Sequence, residues 1–119
     1  MKIQESAENY LETIYVLAIE KGSVRSIDIA NELGFSKPSV SVAMKNLREK
    51  EMIEVDKDGY ITLLKKGEEI AKKVYERHTI LTDCLVKIGV KREIAVEDAC
   101  KIEHFISDET FEALKNFIK

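Results

Sequence analysis

Several things are scarce in this chain, and each scarcity closes off a class of protein. Its 119 residues include one proline and five glycines, too few for a β-sandwich or barrel full of tight turns. Two cysteines, Cys84 and Cys100, cannot build a secreted disulfide scaffold, which points to a reducing cytoplasm. No apolar run approaches the roughly 18 to 20 residues of a bilayer span, so no membrane partner is expected. The segment Met1-Lys2-Ile3-Gln4-Glu5 turns polar at once and lacks the apolar core of a secretory leader. There is no glycine-rich phosphate loop, no nucleophile elbow and no basic residue placed to activate Cys100, so neither an enzyme nor a small-molecule substrate is expected. A basic excess is missing as well. The net charge is −3, and residues 1–64 hold 8 of the 19 basic but 11 of the 22 acidic side chains. Nucleic-acid binding by bulk charge is thereby excluded, and only a local patch could do it.

What is present is a 13.6 kDa chain that is 45% apolar and 34% charged. That suffices for one ordinary domain, or for a small domain with an oligomerisation element. Residues 6–20 place Tyr10, Leu11, Ile14, Leu17 and Ala18 at helical spacing, with Ser6 as the expected cap and Gly22 as the stop. Ser26 is placed to cap a short helix to Leu33, and Gly34-Phe35-Ser36 makes a tight turn. A third helix, about Lys37 to Lys50, carries Pro38 in its first turn, where a missing N–H costs nothing. Met52–Val55 and Tyr60–Leu63, joined across Asp56-Lys57-Asp58-Gly59, read as a β-hairpin. This order is that of a winged helix-turn-helix. A long helix from Lys65 to about Ile88, another from about Ala95 to Ile106, and a last one capped by Ser107-Asp108 follow. These helices carry more apolar surface than one small domain hides, which a homodimer would use. The expected organisation is mostly α: a winged helix-turn-helix of three helices plus a β-hairpin over 1–64, then a helical dimerisation domain over 65–119.

The third helix holds Lys37, Lys45, Arg48 and Lys50 against one acid, Glu49. Small and polar residues, Ser36, Lys37, Pro38, Ser39 and Ser41, occupy or flank its first turn. A recognition helix brings its N-terminal residues close to base edges, while hydroxyls, lysines and free N–H groups hold phosphates. Arg25, before the second helix, and Lys57, at the hairpin tip, stand where phosphate contacts belong. Each of these alone reads equally as a solvated surface residue; the set on this scaffold reads as DNA binding.

The only histidines are His78 and His104. Cys100, Glu103 and His104 stand at i, i+3 and i+4, so on one continuous helix they share a face. Thiolate, carboxylate and imidazole converging in this way make either a metal coordination shell or a catalytic cluster. Asn9 and Glu12 lie on the polar side of the first helix. Spacing alone does not say whether they, or His78, join the cluster. Cys84 has no such company and reads as packing.

Taken together, Glu8-Asn9-Tyr10-Leu11-Glu12-Thr13-Ile14-Tyr15, Ser36 to Ser41, Arg77-His78, and Glu97 to His104 followed by Ser107-Asp108-Glu109 resemble the metal-dependent repressors typified by the diphtheria toxin repressor and the manganese transport regulator. The resemblance covers nearly the whole chain. It implies a transcriptional repressor that binds a palindromic operator as a homodimer, with a divalent metal as corepressor. By matching position it implies Cys100, Glu103 and His104 as ligands, joined by His78 and Glu12 in the branch that binds two metals side by side. Asn9 falls where the iron-type branch has methionine and the manganese-type branch aspartate; an amide oxygen coordinates more weakly than a carboxylate. Thr82 and Val96 occupy the remaining positions of the iron-type ancillary site, which is therefore expected to be absent, as is that branch's C-terminal SH3-like domain. The Cys100 thiolate favours Fe²⁺ and the later ions over Mn²⁺, whereas the Glu12/His78 pair leans towards manganese-type geometry. Fe²⁺ is the favoured corepressor with Mn²⁺ next, and Zn²⁺, Co²⁺ or Ni²⁺ should bind in vitro. A winged-helix regulator that ignores metal is the alternative.

Overall fold

The computed structural model describes residues 2–118; Met1, where the polar N-terminal segment begins, and Lys119 lie outside the described residues. Six helices and one hairpin follow in the order α1 (Lys2–Lys21), α2 (Ser26–Leu33), α3 (Lys37–Glu49), β1 (Ile53–Val55), β2 (Ile61–Leu63), α4 (Lys65–Lys87), α5 (Arg92–Ile102) and α6 (Asp108–Ile118). The expected class, mostly helical with a winged helix-turn-helix ahead of further helices, is the observed one. The chain divides into two compact units, Met1–Lys72 and Lys73–Lys119, with the division inside α4.

In the first unit, Leu11, Ile14 and Leu17 form the buried stripe of α1 and pack with Val24, Ile29, Val40, Met44, Leu47 and Ile53 in one core. Helix α1 begins four residues before Ser6, so Ser6 is interior and not a cap. The preceding Lys, Gln and Glu residues are good helix formers, and no breaker stops them from joining. The cap of α2 is likewise one residue earlier than expected. Arg25 has extended backbone angles and Ser26 is the first helical residue; the Arg25 N–H donates to the Asp28 carboxylate at 2.9 Å. Gly34, at φ +72°, closes the helix and leads into α3. Ser36 caps α3 by accepting from the Ser39 N–H at 3.3 Å, with Pro38 in the first turn. Strands β1 and β2 pair antiparallel with Ile53 opposite Leu63 and Val55 opposite Ile61. The Asp56 carboxylate braces their turn, accepting from the Asp58 and Tyr60 N–H groups at 2.9 Å each.

In the second unit, Val74, Leu81, Ala95, Ala99 and Phe111 are the buried apolar residues of α4, α5 and α6. Helix α5 runs earlier at both ends than the expected Ala95–Ile106. Lys91 is its cap, and the main-chain bonding changes after Ile102, where the Phe105 and Ile106 N–H groups both turn back to the Ile102 carbonyl at 3.0 Å. The physical reason lies on α4: Arg77 Nη1 takes the carbonyls of Glu103 and Ile106 at 3.1 and 2.9 Å, a cation satisfying the end of a helix. Ser107 then caps α6, its hydroxyl accepting from the Thr110 N–H at 3.1 Å. No helix among the described residues is long and apolar enough to cross a membrane.

Candidate metal centre and nucleic-acid interface

Glu103 is fully buried, the one buried carboxylate among the residues whose burial is described. Its Oε1 lies 2.8 Å from His78 Nδ1, and its Oε2 lies 3.5 Å from His104 Nε2 without a hydrogen bond. Burying an ionised carboxylate costs several kcal/mol unless charge and hydrogen bonds compensate it. One imidazole meets one oxygen; the other oxygen faces a second imidazole and is left a strong, unsatisfied acceptor. An imidazole nitrogen beside a free carboxylate oxygen is a donor pair that a divalent cation takes, and it fits the group that the sequence resemblance implies. An imidazole nitrogen held against a carboxylate oxygen is the usual arrangement by which a carboxylate orients a histidine ligand.

The structure thus brings together His78 from α4 with Glu103 and His104 from the turn after α5. Cys100 lies in the last turn of α5 itself and is exposed. Helix α5 ends at Ile102, but Glu103 keeps helical backbone angles and its N–H donates to the Ala99 carbonyl at 2.9 Å, so the helical path runs on from Cys100 to Glu103. Asn9 and Glu12 belong to the first unit, both half-buried on α1. The Asn9 carbonyl accepts from the Thr13 hydroxyl at 2.8 Å. At the two ancillary positions Thr82 is buried and Val96 exposed.

All eight residues expected to meet DNA, Arg25, Ser36, Lys37, Pro38, Ser39, Ser41, Lys45 and Lys57, are exposed. On α3 this follows from Val40, Met44 and Leu47 facing the core, which leaves Ser41 and Lys45 on the outer side. Ser36 and Ser39 are bonded to each other, hydroxyl to hydroxyl, at 2.9 Å. Arg25 forms an isolated β-bridge with Tyr60, and its guanidinium lies 5.3 Å from the Tyr60 ring centroid. A cation over an aromatic face is held electrostatically. Sequence reasoning passed over Tyr60, because only the hairpin's return past Arg25 makes it a neighbour. It also used Arg77 only as part of a motif, although the basic residue directly before a candidate histidine ligand was the available signal.

Residues 2–61 match the family model for the iron dependent repressor N-terminal DNA binding domain, and residues 64–119 match that for the iron dependent repressor metal binding and dimerisation domain. Transcriptional regulator MntR of Escherichia coli O157:H7 is 37% identical over 114 residues, which cover 96% of this chain and 74% of that protein. Among solved structures, the manganese regulator SloR aligns with a TM-score of 0.83 at 29% identity, covering 94% of this chain and 53% of that one. T. acidophilum IdeR aligns with a TM-score of 0.82 at 27% identity, covering 93% and 53%. The chain therefore spans about half the length of these two structures.

A winged helix-turn-helix followed by helices that bury a carboxylate between imidazoles is the build of a metal-responsive transcriptional regulator. This chain belongs to the iron dependent repressor family. The family binds DNA, binds metal and dimerises, and the metal-independent reading is not favoured.

Proposed function

We propose that this protein is a corepressor-dependent repressor of metal-ion homeostasis genes, acting in the cytoplasm as a homodimer on a palindromic operator. Its DNA-binding domain is residues 1–64 and its metal-binding and dimerisation domain residues 65–119. The observation that carries the reading is the buried Glu103 carboxylate with one oxygen unsatisfied beside His104. His78, Cys100, Glu103 and His104 would hold the ion, with Glu12 and Asn9 supplied by α1 as the family's pattern assigns them. Bound there, a divalent cation supplies two positive charges to an acidic set of donors. The residues do the rest: His78 fixes one Glu103 oxygen, the turn after α5 presents the other, and Cys100 adds a thiolate. A coupling of roughly 1 to 3 kcal/mol per site is enough to make operator binding depend on metal.

On the DNA side, Ser36, Lys37, Pro38, Ser39, Ser41 and Lys45 would enter or flank the major groove, with Arg25 and Lys57 on phosphates. In a symmetric dimer the two recognition helices would read half-sites about 34 Å apart. The exposed Ile88, Phe105 and Phe117 support a second copy as the cover of the helical unit. Fe²⁺ is the favoured corepressor on the strength of Cys100, and Mn²⁺ is next; SloR is itself a manganese regulator. A mobility-shift assay on the upstream region of the protein's own operon tests the reading, run with chelator and then with Mn²⁺, anaerobic Fe²⁺, Co²⁺ and Zn²⁺. A shift only with metal is expected. Equal binding with chelator would overturn it in favour of the metal-independent regulator.

A further inference from the structure

We propose that Arg77 is a positioning residue for the metal centre, holding the main chain of Glu103 while its sequence neighbour His78 holds the side chain. The inference rests on the metal reading above. Arg77 and His78 are consecutive on α4, so their side chains leave the helix in directions about 100° apart. Both nevertheless end on the same residue. His78 Nδ1 lies 2.8 Å from the Glu103 carboxylate, and Arg77 Nη1 donates to the Glu103 carbonyl at 3.1 Å. The same nitrogen reaches the Ile106 carbonyl at 2.9 Å, and Nη2 pairs with the Asp108 carboxylate at the start of α6. The Arg77 side chain is only 10% exposed, and its guanidinium lies 5.6 Å from the Phe111 ring centroid. Every residue of the turn that carries Glu103 and His104 therefore lies between acceptors claimed by one guanidinium.

A planar group with five donors can span such a set; a lysine ammonium, a single point with three donors, cannot satisfy it in the same geometry. Arg77 is not the only tie between α4 and α6. Lys115 and Glu76 pair at 2.7 Å, also joining those helices but without touching the turn. Lys73 and Asp108 pair at 3.3 Å as well, but the Lys115–Glu76 tie shares no residue with Arg77, and so it allows positioning of the ligands to be separated from simple stabilisation of the unit.

The test is Co²⁺ affinity of the intact protein, measured by chelator competition, beside thermal unfolding of the metal-free form. Arg77→Lys should weaken Co²⁺ binding about 10-fold or more, the usual effect of disturbing a ligand's support. Lys115→Ala should lower the unfolding temperature yet leave Co²⁺ affinity within about twofold. Unchanged affinity in folded Arg77→Lys overturns the proposal. So does an equal loss of affinity in both variants, which would make Arg77 a structural tie only. Should Arg77→Lys fail to fold, the wild type carries the test by NMR with Zn²⁺, because coupling between two sites is reciprocal. The Arg77 guanidinium protons should then exchange more slowly when Zn²⁺ is added, and unchanged exchange overturns the proposal. A wild type that took up no Co²⁺ would remove the metal reading itself, and this inference with it.

Discussion

The Arg25 guanidinium lies over the Tyr60 ring, 5.3 Å from its centroid, and the two residues also bridge through their backbones. The wing and the start of α2 are thereby joined at the cation proposed to meet a phosphate. An exposed cation–π contact is worth about 0.5–1 kcal/mol. Tyr60→Ala should weaken operator binding roughly two- to fivefold, the same energy expressed as a binding ratio, while Tyr60→Phe keeps the ring and wild-type affinity. Arg25→Ala should go further and lower the slope of log affinity against log salt by about one contact's worth. Fluorescence anisotropy over a salt series reads both quantities, and a Tyr60→Phe protein as weak as Tyr60→Ala would rule out the ring as the cause.

Backbone strain at the end of α3 gives a second expectation. Glu51 has φ +60°, a left-handed conformation, where its N–H bonds back to the Arg48 carbonyl at 3.0 Å. Helices commonly place glycine at such a position, since a Cβ is penalised there. Glu51→Gly should raise stability by about 0.5–1 kcal/mol in urea unfolding, less whatever entropy glycine adds to the unfolded chain. Gly67 is the converse. It is buried on α4, and a Cβ there would collide with the Met52 carbonyl oxygen, so Gly67→Ala should cost about 1–3 kcal/mol.

These two positions mark where sequence reading stopped. Periodicity located α1, α3 and α4, because Leu11, Ile14 and Leu17, or Val40, Met44 and Leu47, repeat with the helix. Ser107 was legible as a cap because its hydroxyl acts within three residues, whereas Ser6 and Ser26 carry the same residue type without capping. The start of α1 and both ends of α5 were not, since no local signal distinguishes Lys2–Glu5 from the helix that follows, and the end of α5 is imposed by Arg77 from 26 residues away. The candidate site divides in the same manner. Cys100, Glu103 and His104 were visible as a set at helical spacing. The pairing of Glu103 with His78 and the stacking of Arg25 on Tyr60 are long-range relations that no spacing encodes.

Acid should loosen the second unit through Asp108. Lys73, at 3.3 Å, and then Arg77 hold its carboxyl below the ordinary carboxylate range. A carboxylate whose folded pKa is depressed contributes stability above its unfolded pKa of about 3.9, and that contribution is lost as pH falls through the lower folded value. Asp108→Asn should therefore lower the melting temperature at pH 7 but converge on the wild type near pH 2–3. Lys115 is the alkaline counterpart: Glu76 raises its pKa, so its contribution holds below the unfolded value of about 10.4 and fades as pH rises through the folded one. Melting curves of the metal-free proteins across pH check both. A gap between Asp108→Asn and wild type that persisted undiminished at the acid end would count against the assignment.

Metal preference should turn on Cys100. A thiolate is a soft ligand that discriminates against Mn²⁺, the weakest binder of the first-row divalent series, whereas carboxylate oxygens suit it. Cys100 is exposed on the last turn of α5, three residues before the buried Glu103, so exchanging its side chain disturbs little packing. Cys100→Glu should consequently raise Mn²⁺ affinity relative to Fe²⁺. Asn9→Asp should act in the same direction by replacing an amide oxygen with a charged one. Anaerobic Fe²⁺ and Mn²⁺ titrations by chelator competition give the ratio for each variant. If Fe²⁺ and Mn²⁺ bind equally before and after the Cys100 change, the thiolate is not what selects the ion, and the preference for Fe²⁺ loses its chemical ground.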